Sequence, residues 1–297
     1  LPYYLMERRR REEQMKRVLA VMTAVLMTAA LLSGCNSAKS KEYKILDEAF
    51  SDEEYVIGFR KGDETLRDEV QRILVEMKKD GKLAEISNTW FGADNTTVPE
   101  EFTPSGASDD SLAKVKEKGT FVLGLDDSFP PMGFRDEDNN IVGFDIDVAR
   151  EVCSRMGVEL ELMPIDWDSK VSELNDGKVD CLWNGFTTSP EREAEMTMSQ
   201  PYMKNRQVVV TLKDSAINTV DDLKDKTLVL QGGSTAEDAL EAHPEIKDGL
   251  KEAVKVKNNV VAMYDLGKGG SDAVLMDEVV ARYYIGHTDQ LEKDGQE

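Results

Sequence analysis

Apolar residues recur along most of the chain with the spacing of strands and helices. Continuous apolar runs predict strands over residues 55–59, 121–126, 158–165, 179–183, 208–212, 227–230 and 273–276. Apolar residues three or four apart predict helices over 66–77, ending at Gly81, and over 146–156, ending at Gly157, with a shorter turn at 171–174. This alternation is typical of α/β proteins with helices on both faces of a parallel sheet.

Residues 93–111 interrupt the alternation with a segment rich in Pro, Gly, Ser, Thr and Asp (ADNTTVPEEFTPSGASDDS). Such a composition favours turns and loops over regular structure. The sequence therefore predicts a linker here.

The N-terminal region carries a second distinctive segment, an apolar run over residues 18–32 that directly follows Lys16 and Arg17. The run is shorter than a membrane span requires, and its length and basic flank are typical of a secretory signal. It ends in Leu32, Ser33, Gly34 and Cys35. We therefore expect residues 1–34 to be a signal peptide and residues 35–42 to be a tether.

The candidate site consists of residues that follow predicted strands, because ligands of open α/β sheets bind at the carboxyl ends of the strands. Ser189 and Pro190 are suited to begin a helix that carries Arg192 in its first turn. The complete set of candidate residues is Asp126, Phe129, Trp167, Asn184, Gly185, Thr187, Arg192, Ser234, Thr235 and Asp277.

These residue types together suit a zwitterion. The guanidinium of Arg192 matches a carboxylate, a helix beginning near Ser234 adds N–H groups for the same anion, and Asp277 is suited to an ammonium group. Each residue also has an ordinary structural role, such as a surface arginine or a helix cap. Pattern and spacing alone therefore indicate an α/β protein with a candidate anion site.

Charge and composition narrow the function classes further. The 297 residues carry a formal net charge of −21, which disfavours nucleic-acid binding. Two histidines and three cysteines are too few for an array of zinc fingers, and we expect neither a metal nor a cofactor. Cys153 and Cys181 lie in apolar surroundings that favour buried thiols, although an exported protein could also bond them.

Several motifs together resemble the family 3 solute-binding proteins, which are the extracytoplasmic receptors of ABC importers for polar amino acids. The matching segments are residues 58–63 (GFRKGD), 77–81 (MKKDG), 90–92 (WFG), 124–134 (GLDDSFPPMGF), 142–149 (VGFDIDVA), 179–188 (VDCLWNGFTT), 230–235 (LQGGST) and 272–279 (DAVLMDEV). The resemblance covers nearly all of the chain after the predicted signal.

The resemblance implies a role for each candidate residue. Arg192 would bind the α-carboxylate of an amino acid with Thr187, Ser234 and Thr235, while Asp277 and the Gly185 carbonyl would bind its ammonium group. Phe129 and Trp167 would enclose the side chain, with Asp126 near its polar end and Asn184 at a position that often holds a small hydroxyl residue. Since this candidate set holds no second Arg or Lys to receive an acidic group, we expect a polar or cationic L-amino acid.

The resemblance also implies a two-lobed α/β fold of the type II periplasmic-binding-protein class, but with its segments in a different order. In the family, the segment similar to residues 43–92 comes last, so the chain has the order of a circular permutation. The expected lobes are residues 55–203, which contain the linker 93–111, and residues 204–297 together with 43–54. The chain would cross between the lobes near 52–54 and 203–205.

By the same resemblance, Cys35 would be lipidated and would tether a monomeric receptor to the outer face of a bacterial cytoplasmic membrane. Its partners would be the amino acid and the membrane subunits of an ABC importer. The alternatives are an enzyme of the same fold, such as a dehydratase acting on a small carboxylate, and the sensor module of a signalling receptor. Against an enzyme, His243 and His287 both lie in polar, loop-like contexts and no further acid–base constellation is visible. A sensor module would need a further membrane span or output domain, and neither is expected.

Overall fold

A computed structural model describes residues 41–295, so the predicted signal peptide and Cys35 lie outside the described residues. The strands are β1 (Tyr43–Arg60), β2 (Thr120–Leu125), β3 (Ser128–Phe129), β4 (Gly133–Arg135), β5 (Ile141–Val142), β6 (Glu159–Pro164), β7 (Cys181–Thr187), β8 (Met196–Met198), β9 (Met203–Leu212), β10 (Thr227–Gln231), β11 (Glu252–Val256) and β12 (Ala273–Asp277).

Helices lie between these strands through most of the described chain. They are α1 (Glu64–Lys79), α2 (Lys82–Phe91), α3 (Ser111–Lys118), α4 (Phe144–Met156), α5 (Lys170–Asn175), α6 (Pro190–Glu195), α7 (Thr235–Glu241), α8 (Pro244–Lys247), α9 (Asn259–Lys268), α10 (Glu278–Gly286) and α11 (Thr288–Asp294). Short 3-10 turns add Trp167–Ser169 and Val220–Leu223.

One mixed sheet of nine strands organises the fold, in the order β11-β10-β12-β9-β1-β7-β2-β6 with β8 also paired to β1. Parallel pairs join β2 to β6 and β7, and β10 to β11 and β12. Strands β7 and β12 are buried along their whole length, as expected for parallel strands covered on both faces. The α/β class predicted from the alternating pattern is therefore confirmed.

Two long antiparallel strands, β1 and β9, join the two ends of this sheet. Residues 43–55 of β1 pair with β9, which in turn pairs with β12, whereas residues 55–59 pair with β7. The sheet therefore has two halves. We call β2, β6, β7 and β8 the β2 half, and β10, β11 and β12 the β10 half.

Helix ends follow the glycine signals of the sequence. Helix α4 ends at Gly157, which has a φ of 80°, and α1 ends at Lys79 just before Gly81, which has a φ of 85°. Glycine adopts such left-handed angles without the steric penalty that a β-carbon brings. The buried side chains of α1 include Leu66, Val70 and Met77, which lie on one face of the helix.

The predicted linker 93–111 is fixed against its neighbours. The Thr97 N–H donates to the Tyr202 carbonyl at 2.8 Å, and the Ser105 N–H donates to Asp68 at 2.7 Å. Near its end, the Asp109 carboxylate accepts from the Thr65 N–H at 2.9 Å. Residues 93–110 lack helices and long strands, as their composition predicts, and α3 begins at Ser111, yet the segment is held by specific hydrogen bonds.

Apolar side chains form the core on both faces of the sheet. One large cluster runs through both halves, and two smaller clusters lie on the β10 half and the β2 half. Cys153 and Cys181 are buried free thiols within the large cluster. Among residues 41–295, no helix is both long enough and apolar enough to span a bilayer.

Candidate functional site

A small enclosed cavity of about 20 Å³ lies where the two halves of the sheet meet. Both halves contribute to its walls. The lining residues are Asp126, Phe129, Trp167, Gly185, Thr187, Arg192, Gln231, Ser234, Thr235 and Asp277. The structure thus brings nine of the ten candidate residues together, all except Asn184, and adds Gln231.

Arg192 forms the cationic side of the cavity. Ser189 caps α6 by accepting from the Arg192 N–H at 3.2 Å, and Pro190 occupies the first helical position, both as predicted. The guanidinium donates to the Thr187 carbonyl at 2.8 Å and to the Gly233 carbonyl at 3.4 Å, and it lies 4.7 Å from the centre of the Phe186 ring. Burial lowers the pKa of Arg192. No carboxylate in the described part of the chain forms an ion pair with it.

Asp277 forms the acidic side, at the end of β12. Its carboxylate is 4 % exposed and accepts from the Tyr55 hydroxyl at 2.7 Å and from the Asn205 amide at 2.6 Å. Burial, followed by the nearby charge of Glu53, raises the pKa of Asp277 to about 7. The side chain is therefore oriented by neutral donors while its own charge remains uncompensated.

Glu53 is a second carboxylate beside Asp277 that sequence analysis missed. It accepts from the Asn205 amide at 2.9 Å, from the Gln207 amide at 3.1 Å and from the Thr187 hydroxyl at 3.2 Å. The Asn205 amide thus bridges Glu53 and Asp277. Nothing in the sequence singled out Glu53, because it lies in the middle of β1 rather than at the end of a strand.

Ser234 and Thr235 line the cavity at the start of α7, which begins at Thr235, next to the predicted helix start near Ser234. The Ser234 hydroxyl donates to the Gln231 carbonyl at 2.8 Å. The preceding Gly233 has a φ of 66°, and a β-carbon there would come within 2.4 Å of the Asp168 carboxylate. Glycine therefore lets this loop approach the opposite wall of the site.

Asp126 and Gln231 connect the two halves of the sheet through a hydrogen bond at the cavity wall. The Gln231 amide donates to the Asp126 carboxylate at 2.8 Å, and the Ser128 N–H donates to the same carboxylate at 3.0 Å. Burial raises the pKa of Asp126. Gln231 follows the predicted strand 227–230, so its position was visible in the sequence even though its role was not anticipated.

Phe129 and Trp167 supply aromatic walls, and Gly185 makes room for one of them. Gly185 has a φ of 59°, and a β-carbon there would lie 2.7 Å from the Phe129 ring. The Gly185 N–H donates to Asp145 at 2.7 Å. Burial raises the pKa of Asp145 to about 7. This contact fixes the orientation of the peptide group at Gly185.

Asn184 differs from the expectation that it lines the site. Asn184 is not among the residues that line the cavity. Its amide donates to the backbone carbonyl of Asp126 at 2.6 Å, and the residue is 2 % exposed. Asn184 therefore supports the loop that carries Asp126.

Lys170 is a second cation close to Arg192, and it lies outside the set of candidate residues. It begins α5 rather than ending a strand, and its ammonium group donates to the Gly233 carbonyl at 2.9 Å. Strand-end reasoning could not find it, because the contact joins residues 63 positions apart in the sequence.

A wider groove of about 920 Å³ adjoins the cavity and shares Thr187 and Thr235 with it. Charged side chains line much of its wall, among them Glu53, Asp238 and Glu278. Within residues 41–295, no cluster of His, Cys, Asp and Glu side chains is arranged to hold a metal ion.

Curated relatives of the chain are amino-acid-binding proteins. The L-cystine-binding protein of Escherichia coli strain K12 is 32% identical over 180 residues, which are 60% of this chain and 66% of that protein. The chain thus spans just under two thirds of the length of that relative. The arginine-binding extracellular protein of Bacillus subtilis strain 168 is 29% identical over 191 residues, which are 64% of this chain and 72% of that protein.

Solved structures agree with this relationship. A substrate-binding protein of an ABC uptake transporter from Streptococcus pneumoniae, with bound histidine, is 40% identical with a TM-score of 0.59, covering 61% of this chain and 75% of that one. An ancestral amino-acid-binding protein, described as a precursor of cyclohexadienyl dehydratase, is 32% identical with a TM-score of 0.55 and covers 59% and 77%. These similarities confirm the type II periplasmic-binding-protein fold.

The sequence profile of one family matches most of the chain, over residues 7–93 and 121–279. The motifs that suggested the family from the sequence lie largely within these ranges. The protein therefore belongs to the bacterial extracellular solute-binding proteins, family 3.

Proposed function

We propose that the protein is an extracytoplasmic receptor that binds a polar or cationic L-amino acid between its two lobes and delivers it to an ABC importer. One observation carries the proposal. Arg192, a partly buried cation, and Asp277, a buried carboxylate, come from different halves of the sheet and line the same cavity, and within residues 41–295 neither is hydrogen-bonded to an opposite charge. A zwitterion supplies both missing charges.

The division of the lining residues supports the proposed lobes, residues 55–203 and residues 204–297 with 43–54. Asp126, Phe129, Trp167, Gly185, Thr187 and Arg192 belong to the first lobe, and Gln231, Ser234, Thr235 and Asp277 to the second. The cavity of about 20 Å³ is too small for an amino acid, so we propose that the lobes separate for ligand entry. The ligand then favours the closed form because it contacts both lobes.

The part of the cavity around Asp126, which we call its side-chain end because we propose that it faces the side chain of the ligand, supports the proposed ligand class. Asp126 adds a carboxylate there, and Gln231 adds an amide that can both donate and accept. A cationic or amide side chain complements these groups, whereas an acidic side chain would face Asp126. The names of the relatives, which refer to cystine, arginine and histidine, agree with an amino-acid ligand.

A thermal-shift screen of the full chain against the L-amino acids tests the proposal. We expect a rise in the unfolding temperature with one or a few polar or cationic amino acids, since a ligand that binds only the folded state stabilises it by mass action. Recovery of the bound compound unchanged after prolonged incubation separates a receptor from a dehydratase-like enzyme. Conversion of the compound, or no shift with any amino acid, contradicts the proposal.

We also propose that Cys35 carries lipid and holds a monomeric receptor at the outer face of the cytoplasmic membrane. The apolar run 18–32 and the small residues before Cys35 support this assignment. Cys35→Ser should release the protein or leave it as an uncleaved precursor. A cleaved protein that stays in the membrane fraction contradicts lipidation.

We further propose that the chain is a circularly permuted member of the family. In support, Tyr43 lies close enough to Glu292 for the charge of Glu292 to contribute to the raised pKa of Tyr43. The start of β1 thus lies beside α11, where the usual order of the family would continue from one to the other. A re-ordered variant that begins at residue 112 and joins residue 297 to residue 43 should bind the same ligand with similar affinity.

A further inference from the structure

Lys170 is a buried lysine that crosses the boundary between the two sides of the cavity. It is the first residue of α5, and it is only 7 % exposed. The ammonium group donates to the Trp167 carbonyl at 3.1 Å and to the Gly233 carbonyl at 2.9 Å. Trp167 follows β6 of the β2 half and Gly233 follows β10 of the β10 half, so a single ammonium group joins the walls from both halves.

The surroundings of Lys170 hold its charge without neutralising it. Carboxylates near it are Asp168 in the preceding turn and Glu237 and Asp238 on α7, but Glu237 is already paired with Lys255. These carboxylates raise the pKa of Lys170, whereas the positive charge of Arg192 on α6 lowers it. Burial, followed by the charge of Arg192, lowers the pKa of Lys170 to about 8. The Trp167 ring, with its centre 5.4 Å from the ammonium group, gives partial compensation.

The Gly233 carbonyl is the acceptor that Lys170 and Arg192 share, at 2.9 Å and 3.4 Å. Two like charges on one carbonyl repel each other, and the interior screens them poorly. Ser234 and Thr235 follow directly in the chain and line the cavity. An anion placed among these groups would attract both cations and remove the repulsion between them.

The loop itself is shaped for this contact. Gly233 has a φ of 66°, and a β-carbon there would meet the Asp168 carboxylate, two residues before Lys170, at 2.4 Å. Any other residue at position 233 would strain this backbone conformation and displace the Asp168 side chain. The loop therefore depends on glycine at the position where its carbonyl meets Lys170.

We propose that Lys170 is a positioning residue of the carboxylate subsite, which holds the Gly233 carbonyl against the opposite wall and adds a second positive charge for the α-carboxylate of the ligand. The inference rests on the proposed function, because it requires an amino acid in the cavity. It assigns the second cation to the α-carboxylate end, so it does not imply an acidic side chain.

Proton uptake is the distinctive consequence. The α-carboxylate of a bound ligand favours the charged form of Lys170, so binding raises its pKa from about 8. At pH 8 the wild type therefore takes up a fraction of a proton on binding. Asp277 and the ammonium group of the ligand also exchange protons, but they do so equally in variants that differ only at position 170.

Titration calorimetry of the full chain tests the inference, with the twenty standard L-amino acids and L-cystine as probes. Three variants are compared: Lys170→Met, Lys170→Arg and the exposed control Lys178→Met. We expect Lys170→Met to weaken binding by about tenfold to hundredfold, the range for a lost hydrogen bond to a charged group. Lys170→Arg should restore most of the affinity, and Lys178→Met should match the wild type.

Proton stoichiometry at pH 8, measured in two buffers of different ionisation enthalpy, is the second readout. The wild type should take up more protons than Lys170→Arg, because arginine stays charged throughout. This readout stands even if Lys170→Met does not fold. Equal stoichiometry in the two proteins, or binding by folded Lys170→Met within threefold of wild type, overturns this inference alone. A wild type that binds none of the probes overturns the proposed function and this inference with it.

Discussion

The two ends of the cavity hold opposite charges in different ways. At the cationic end, Arg192 and Lys170 donate only to main-chain carbonyls, those of Thr187, Gly233 and Trp167. At the acidic end, neutral side chains supply the hydrogen bonds: Asp277 accepts from the Tyr55 hydroxyl and the Asn205 amide, and Glu53 accepts from the Gln207 amide.

The comparison shows how a protein can orient charges without neutralising them. Removing a charge from water is unfavourable, and the dipoles of carbonyls, hydroxyls and amides offset only part of the lost hydration free energy. An ion pair between Arg192 and Asp277 would offset more of it, but it would also occupy the site. Because the two ends do not pair with each other, Arg192 remains available for the carboxylate of a zwitterion and Asp277 for its ammonium group.

The largest effect should come from Arg192→Ala. Loss of one partner from a buried charge pair costs about 2–5 kcal/mol, or roughly thirtyfold to several thousandfold in affinity. Calorimetry with the amino acid found in the screen measures it. Arg150→Ala, which changes an exposed arginine, serves as the control. Affinity of Arg192→Ala within threefold of wild type would remove Arg192 from the site.

Asp277→Asn should have the next largest effect, a loss of roughly 10- to 100-fold, since an amide hydrogen-bonds an ammonium group without its opposite charge. The pKa of Asp277 is raised to about 7 on folding. Its ionisation therefore lowers the stability of the ligand-free protein as the pH rises through 7.

We therefore expect Asp277→Asn to bind poorly yet to unfold, without ligand at pH 8, at a temperature no lower than wild type. Thermal unfolding with and without the ligand checks both points. Weak binding combined with a much lower unfolding temperature would assign Asp277 a structural role instead.

Glu53→Gln should have a smaller effect that depends on pH. In the wild type, binding should weaken by up to about tenfold from pH 8 to pH 6, because a proton on Asp277 competes with the ammonium group of the ligand. Removing the charge of Glu53 lowers the pKa of Asp277, so the fall should move to lower pH. The neighbouring Glu54→Gln is the control, and identical pH profiles for all three proteins would exclude the coupling.

The smallest effect should come from Asp126→Asn, and it should be selective. We expect a cationic amino acid to lose up to about tenfold in affinity, whereas an amide amino acid changes by less than threefold, because only the former needs the charge. Competition binding of two such ligands measures the ratio. Equal losses for both would place Asp126 outside the side-chain end of the cavity.

Much of the fold could be predicted because its central strands are buried on both faces. Continuous apolar runs located β2, β10 and β12 to within a few residues. By contrast, β1 extends from Tyr43, far before the predicted start at residue 55. Register shifts between Ile45 and Ser51 break its alternating pattern, so that part gave no clear strand signal.

The site was predictable where its residues end strands and hidden where they do not. Asp277 ends β12, Arg192 lies in the first turn of the helix that follows β7, and both line one cavity. Glu53 lies inside a strand, and Lys170 is buried by a loop 63 residues away, so neither has a local signature. Strand β7 continues through Thr187, beyond the apolar run that ended at Trp183. Its polar residues are accommodated by hydrogen bonds such as the one between Asn184 and the Asp126 carbonyl.

Stripping the ligand of one charge at a time tests the central claim most directly. Calorimetry would compare the tightest-binding L-amino acid with its α-carboxamide and with its analogue that lacks the α-amino group. If the two ends of the cavity recognise the two halves of a zwitterion, each analogue should bind at least about 30-fold more weakly, as expected for one unpaired buried charge. Binding of either analogue within threefold of the parent amino acid would contradict the account.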